Sequence, residues 1–163
     1  YVGLAFLTGF ILVALVLSLN LLFYFMMLPN IRPDNLLNSN ILLTNQNTLF
    51  VSLYYANPLL HALISILFAS FWGGLFAVFV MVTSLWIKHV FVALSTGLIV
   101  QIAILMLNSL IMLPDLVSFS PADFLHEMAP NTNISLPVTG LATLMLLTYC
   151  LVFARIGVKR LVP

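Results

Sequence analysis

The sequence predicts an all-α integral membrane protein with four transmembrane helices, and a short outer interfacial or re-entrant helix before the last one. Composition is the first reason: 63% of the 163 residues are hydrophobic and 6% are charged. Soluble domains carry about 25% charged residues, and a chain this short cannot hide so much apolar surface from water. The second reason is run length, because apolar runs of this size without alternation indicate membrane helices in one domain and exclude a barrel.

The first predicted span covers residues 1–28 and ends before Pro29. The outer loop that follows, residues 29–58, is rich in Asn, Ser and Thr. Near its end, residues 49–55 predict either a short interfacial helix with aromatic side chains at headgroup level or an irregular loop. The sequence leaves both alternatives open.

Two more spans are predicted between residues 59 and 113, where Lys88 is the sole fully charged residue. One helix over this whole region would be about 80 Å long, far more than one crossing requires. A turn at Lys88 and His89 divides the region into two lengths that each fit a bilayer. The predicted spans are residues 59–86 and 90–113.

The second outer loop, residues 114–136, precedes a last span at residues 137–154. Within the loop, Ser120 is a typical N-cap residue and Pro121 suits the first helical position. Helical spacing would place three apolar side chains on one face of the short helix. Those three residues are Phe124, Leu125 and Met128.

The distribution of basic residues predicts an orientation, since Lys and Arg collect in cytoplasmic loops. With four crossings, one side receives Lys88, Arg155, Lys159 and Arg160, and the other receives Arg32 alone. We therefore expect the Lys88 turn and the C-terminus to be cytoplasmic, with both long loops outside.

The predicted spans contain no Asp, Glu, Lys or Arg, which disfavours an ion-coupled carrier or channel. Gln101 and Asn108 are seven residues apart, close to one helical face, and are candidates for a polar cargo path. For Asn20 and His61, interhelical hydrogen bonding is the favoured interpretation.

Catalytic and metal-binding signatures are missing from the sequence. His126-Glu127 has no second His four residues after the first, and the single cysteine, Cys150, lies in an apolar run. We therefore predict no enzyme, no metal site and no cofactor in this chain, and the net charge of +1 gives no electrostatic footprint for nucleic acid.

Small residues in the second span are arranged for close helix packing. Gly73 and Ala77 are four residues apart, and Gly74 follows Ser70 at the same spacing. Such small-xxx-small faces let helices approach one another in lipid.

The order of these parts resembles the C-terminal portion of permease subunits of bacterial ABC-2 type ATP-binding-cassette exporters. The segments that carry the resemblance are Tyr54-Tyr-Ala-Asn-Pro-Leu-Leu60, Phe71-Trp-Gly-Gly-Leu-Phe-Ala77 and Trp86-Ile-Lys-His-Val-Phe-Val92, followed by the helix near Ser120 and a final span with a basic end. The family has six helices, so this sequence would supply the third to sixth. We expect a longer polypeptide or a second chain to supply the first two helices and the cytoplasmic coupling helix between them.

The resemblance implies a permease subunit in a bacterial plasma membrane that moves a hydrophobic or amphipathic cargo, such as a peptide or lipid-like molecule. Its implied partners are a cytoplasmic ATPase that carries ATP and Mg²⁺, a second permease copy or paralogue, and membrane lipid. In that setting Lys88 and His89 mark the topology or contact the ATPase. The alternative is a non-catalytic structural or assembly subunit of a larger membrane complex.

Overall fold

The computed structural model describes residues 1–27, 49–87, 89–111, 115, 117–125 and 133–161. Within these ranges the chain is almost entirely helical, with one pair of two-residue strands. The elements are α1 (Val2–Met27), α2 (Val51–Ala56), α3 (Pro58–Ser84), α4 (Val90–Leu110), β1 (Val117–Ser118), α5 (Pro121–Phe124), β2 (Asn133–Ile134) and α6 (Leu136–Leu161).

Four of the described helices, α1, α3, α4 and α6, are long and apolar enough to cross a membrane. This confirms the predicted multi-pass helical architecture, with helix ends that differ from the predicted spans by a few residues. The largest difference is at the end of α6, which continues to Leu161 instead of stopping near Ala154. The basic positions 155, 159 and 160 therefore belong to the last turns of the helix.

Helix α3 is the central element, because α1, α2, α4 and α6 all pack against it. It supplies most of the buried apolar side chains of the described chain: Trp72, Leu75, Val78, Phe79 and Val82. The other three long helices expose most of their large apolar side chains. In a bilayer these side chains meet lipid, so the exposure is the arrangement expected of a membrane protein.

The contact between α1 and α3 is formed by small residues. A Cβ atom added at Gly9 would lie 2.6 Å from the carbonyl oxygen of Gly73 and 2.7 Å from the Cβ of Ala77. Val13 covers Gly73, and the ring of Phe6 covers Gly74. Because glycine has no side chain, the two backbones approach closely enough for extensive van der Waals contact.

Helix α6 packs along the half of α3 that ends at Ser84. The thiol of Cys150 lies 3.8 Å from the carbonyl oxygen of Leu75, and the ring of Tyr149 lies 5.3 Å from that of Phe79. Further along, a Cβ atom added at Gly157 would lie 2.8 Å from the Cδ1 atom of Leu85. Cys150 is thus a buried packing residue in this interface.

Helices α3 and α4 form a hairpin. Helix α3 ends at Ser84, α4 begins at Val90, and Gly97 of α4 lies against Val80 of α3. So short a connection makes neighbouring helices antiparallel. The turn falls where the sequence predicted it, although Lys88 itself lies outside the described residues; His89 is exposed and occupies the N-cap position of α4.

The two alternatives for residues 49–55 are resolved in favour of a helix, α2. Asn57 then separates α2 from α3 and caps α3, because its side-chain oxygen accepts a hydrogen bond from the Leu60 N–H at 3.3 Å. His61 is buried; its Nε2 lies 3.3 Å from the carbonyl oxygen of Leu49, and its ring meets that of Tyr54 edge to face. The hydrogen-bond contact of His61 therefore joins α3 to the turn that precedes α2. The predicted hydrogen bond would have joined two long helices.

Candidate functional site

The main concentration of polar side chains in the described chain lies between α4 and α6. We call residues 117–125, which include β1 and α5, the connecting segment. Parallel pairing of β1 with β2 joins the start of this segment to the residues just before α6. Val117 is opposite Asn133, and Ser118 is opposite Ile134. The side-chain amide of Asn133 also donates a hydrogen bond to the carbonyl oxygen of Asp115.

The connecting segment folds back against the middle of α3. Phe124 is 4% exposed, and its ring centroid lies 5.0 Å from that of Trp72 and 6.3 Å from that of Phe68. Since Trp72 is four turns into α3, the contact is roughly 20 Å from the start of that helix. The segment therefore covers the centre of α3 instead of lying across its end.

A carboxyl group ties the same segment to α4. One oxygen of Asp123, Oδ2, accepts hydrogen bonds from the Ser118 hydroxyl at 2.5 Å and from the Asn108 amide Nδ2 at 3.2 Å. The other end of the Asn108 amide, Oδ1, accepts from the Phe119 N–H at 3.1 Å. Asn108 thus holds a side chain and the backbone of the segment at once. We call Asn108, Ser118 and Asp123 the carboxyl cluster.

Ser118 also organises the segment locally. Its hydroxyl is fully buried, donates to Asp123 and accepts from the Ser120 N–H at 3.1 Å. These bonds fix the backbone between β1 and α5. In a low-dielectric environment such coupled hydrogen bonds hold a segment in one conformation as long as every member is satisfied.

Three buried polar atoms in the described part of the chain have no hydrogen-bond partner. They are Nε1 of Trp72, Oγ of Ser120 and Oγ1 of Thr139. Phe124 contacts the first two of these residues, since its ring packs on that of Trp72 and its N–H donates to the Ser120 carbonyl oxygen. A buried donor or acceptor without a partner costs about 1–3 kcal/mol.

The outer interfacial helix predicted over residues 120–128 is not confirmed. Helix α5 has four residues, Pro121–Phe124, with Pro121 at the start as predicted and Ser120 at the N-cap position without a side-chain capping bond. Phe124 faces α3, and Leu125 is half-buried. Met128, with His126 and Glu127, lies outside the described residues.

The two candidate cargo-path residues both lie on α4. Asn108 belongs to the carboxyl cluster, whereas Gln101 is half-buried two helical turns away, roughly 10 Å along α4. A shared cargo path for the two stays a prediction. The predicted packing residues Gly73, Gly74 and Ala77 all lie at the contact with α1.

Sequence reasoning did not find the carboxyl cluster. Neither Ser118 nor Asp123 belongs to a sequence motif that would connect it with Asn108. The available signal was an amide near the end of a span followed, fifteen residues later, by an acid in an acid-poor chain, since polar groups near lipid seek each other.

Within the described residues, no three His, Cys, Asp or Glu side chains are grouped so that they could hold a metal ion. The carboxyl cluster has one acidic group, and both hydrogen-bonding ends of the Asn108 amide are already engaged. Its geometry is that of a structural contact between a helix and a loop.

No protein-family model, no curated protein and no solved structure matches this chain.

Proposed function

We propose that the chain is the membrane permease subunit of an ABC-2 type exporter, which moves a hydrophobic or amphipathic cargo using ATP hydrolysis by a partner subunit. The observation that supports this best is the order of elements. Four apolar helices are present, and the connecting segment before the last one folds back on α3. This is the order on which the resemblance to that family rests.

The chemistry of the described chain supports a role in which energy comes from another protein. The four candidate spans hold no Asp, Glu, Lys or Arg apart from Arg155 near the end of the last one. Spans of this kind provide no proton relay and no charged ion pathway. A peptide or lipid-like cargo would instead meet apolar side chains, and a cytoplasmic ATPase with bound ATP and Mg²⁺ would drive its movement.

The orientation belongs to the same proposal. We place the C-terminal basic positions and the turn near Lys88 in the cytoplasm of a bacterial cell, following the positive-inside rule. Cysteine substitutions in a Cys150→Ala background test this placement. A membrane-impermeant maleimide applied to intact cells should label Ser39→Cys but not Lys88→Cys, and labelling at position 88 would overturn the orientation.

The transport proposal is tested by purifying the tagged chain from its native membrane in a mild detergent and identifying the proteins that accompany it. We expect a stoichiometric subunit with a phosphate-binding loop, and vanadate-sensitive ATP hydrolysis in the complex. Reconstituted complex should then show an ATPase rate that changes when amphipathic peptides or lipids are added. A complex without any nucleotide-binding subunit would contradict the proposal.

A non-catalytic assembly subunit is the second candidate. It is favoured by the large apolar outer face of α1, where Leu4, Leu12 and Phe23 are each more than half exposed. That face could contact another membrane subunit as well as lipid. Accompanying membrane proteins without a phosphate-binding loop, in a complex that hydrolyses no ATP, would support this candidate.

A further inference from the structure

The connecting segment is attached to the helices by two chemically different contacts. Towards α3 it is held by the ring of Phe124 against Trp72 and Phe68. Towards α4 it is held by Asn108, which bonds Asp123 and the Phe119 N–H. We propose that Asn108 and Asp123 are the two halves of a latch, which holds the connecting segment docked on α3 and whose opening uncovers Trp72 and Ser120.

The carboxyl cluster has the properties of a latch because it joins two separate parts of the chain through one side-chain pair. Asn108 is near the end of α4, and Asp123 is in α5 beyond the strand β1. The amide orientation is fixed, since only one orientation donates to the carboxyl oxygen and accepts from an N–H. Removing the amide donor therefore breaks the attachment to Asp123 without changing any residue of the segment.

The docked form also contains a feature that favours opening. The Trp72 indole N–H and the Ser120 hydroxyl are both buried, and neither has a partner among the described residues. The Ser120 hydroxyl would gain a partner if the segment moved away from α3 to water, whereas the Trp72 N–H would meet lipid, which offers none. The unsatisfied Ser120 hydroxyl therefore shifts the equilibrium towards the undocked form, and the hydrogen bonds of the latch oppose that shift.

The latch consists of residues of this chain alone and does not depend on a partner ATPase. Its test uses the full chain in detergent, with Cys150→Ala removing the native thiol and Ser120→Cys placing a reporter in the segment. Ser120 is fully buried in the docked form, so a maleimide should label the reporter slowly. A second reporter is the emission and acrylamide quenching of Trp72 after Trp86→Phe, since the chain has two tryptophans.

Asn108→Asp is the principal variant, because it replaces the donor with a second carboxyl group. We expect labelling at position 120 to rise about tenfold or more, as for the loss of a hydrogen bond to a carboxyl group. The matched control is Asn57→Asp, which makes the same change at the α3 cap, where the side-chain oxygen serves only as an acceptor. That control should leave labelling and Trp72 quenching unchanged.

Exchanging the two groups provides the decisive arm. In Asn108→Asp combined with Asp123→Asn, a carboxyl at position 108 can accept from the Phe119 N–H and from the new amide at position 123. In the parent one atom, Oδ2 of Asp123, accepts from both Asn108 and Ser118, so the new amide must turn its nitrogen towards position 108 and its oxygen towards Ser118. We therefore expect the double exchange to lower labelling well below that of Asn108→Asp, a partial rescue that general destabilisation would not produce.

If Asn108→Asp does not fold, Asp123→Ala replaces it as the test variant. It breaks the same contact without adding a carboxyl group to α4. It should raise labelling at position 120 to the same extent. Labelling in either folded variant that matches Asn57→Asp would overturn the latch. So would a double exchange that stays as reactive as Asn108→Asp while retaining its helical content.

Discussion

The contact between α1 and α3 and the contact between α4 and the connecting segment hold the molecule together in opposite ways. At the first, Gly9 and Gly73 bring two backbones together, and the side chains that lie against the glycines belong to Phe6, Val13 and Ala77. At the second, Asp123 and Asn108 join a loop to a helix through hydrogen bonds. The first contact depends on glycines, which have no side chain, and the second depends on particular hydrogen-bonding groups.

The difference reflects what lipid supplies as a solvent. Hydrocarbon chains are as apolar as leucine, so burial of apolar area gives two helices little reason to associate, and close packing must do so instead. A loop with exposed N–H groups has the other difficulty, because near lipid its backbone needs partners from the protein. The long helices therefore meet through small residues, and the irregular segment meets them through an amide and a carboxyl group.

The largest effect is expected from Gly9→Leu at the α1–α3 contact. Its first side-chain atom would lie 2.6 Å from a backbone oxygen, which cannot move aside easily. We expect α1 to separate from α3 and the free energy of unfolding in detergent to fall by about 3 kcal/mol. Gly3→Leu on the same helix is the control, because a Cβ there meets no described atom within 4 Å. Equal loss in both variants would show that the close contact is unimportant.

A smaller loss is expected from Phe124→Ala, which removes the apolar half of the second contact. Two ring pairs disappear, which together contribute about 2 kcal/mol. With Trp86→Phe as the background, the emission of Trp72 should shift and its quenching by acrylamide should increase. Phe91→Ala is the control, since Phe91 is 82% exposed and should leave the spectrum unaltered.

Ser118→Ala tests the polar half of the same contact. The substitution removes one donor to Asp123 and leaves the Ser120 N–H without its acceptor. We expect a loss of about 1.5 kcal/mol in the thermal unfolding of the purified chain. Ser95→Ala should change stability by much less, because the Ser95 hydroxyl bonds only to the Phe91 carbonyl oxygen of its own helix. A loss at position 95 equal to that at 118 would argue against a special role for the cluster.

The smallest effect, with the opposite sign, is expected from Gly140→Ala in α6. Gly140 is exposed, and a Cβ there meets no described atom within 4 Å. Packing among the described residues therefore does not require glycine at position 140, whereas it does at position 9. Alanine should stabilise the helix by about 0.5–1 kcal/mol. A decrease in the melting temperature would show that this face of α6 is in contact with something the described chain does not supply.

The long helices were predictable from the sequence because lipid enforces a simple rule: backbone groups must be satisfied within a run of sufficient length. The same arithmetic located the turn between Ser84 and Val90. The end of α6 was predicted less well, since a change from apolar to basic residues marks the edge of the hydrocarbon and not the end of a helix. Arg155 carries an exposed side chain within α6 and does not interrupt it.

The connecting segment was not predictable in the same way. Its position depends on Trp72, Asn108 and Asp123, which come from three elements and have no periodic relation in the sequence. Helix-start signals at Ser120 and Pro121 correctly indicated where α5 begins, but tertiary contacts with α3 and α4 decide where it lies. Asn108 was noticed for its polarity, and only the fold shows that this polarity is directed at the loop.

The close fit of α1 to α3 has a consequence for the order of events during synthesis. Gly9 enters the membrane well before Gly73 has been translated, so α1 must wait in the bilayer without its partner. A helix of 26 residues with no charged side chain can do so, because lipid satisfies all its surfaces except the shallow small-residue face. Assembly then requires the inserted helix α1 to pair with α3 after α3 has been synthesised.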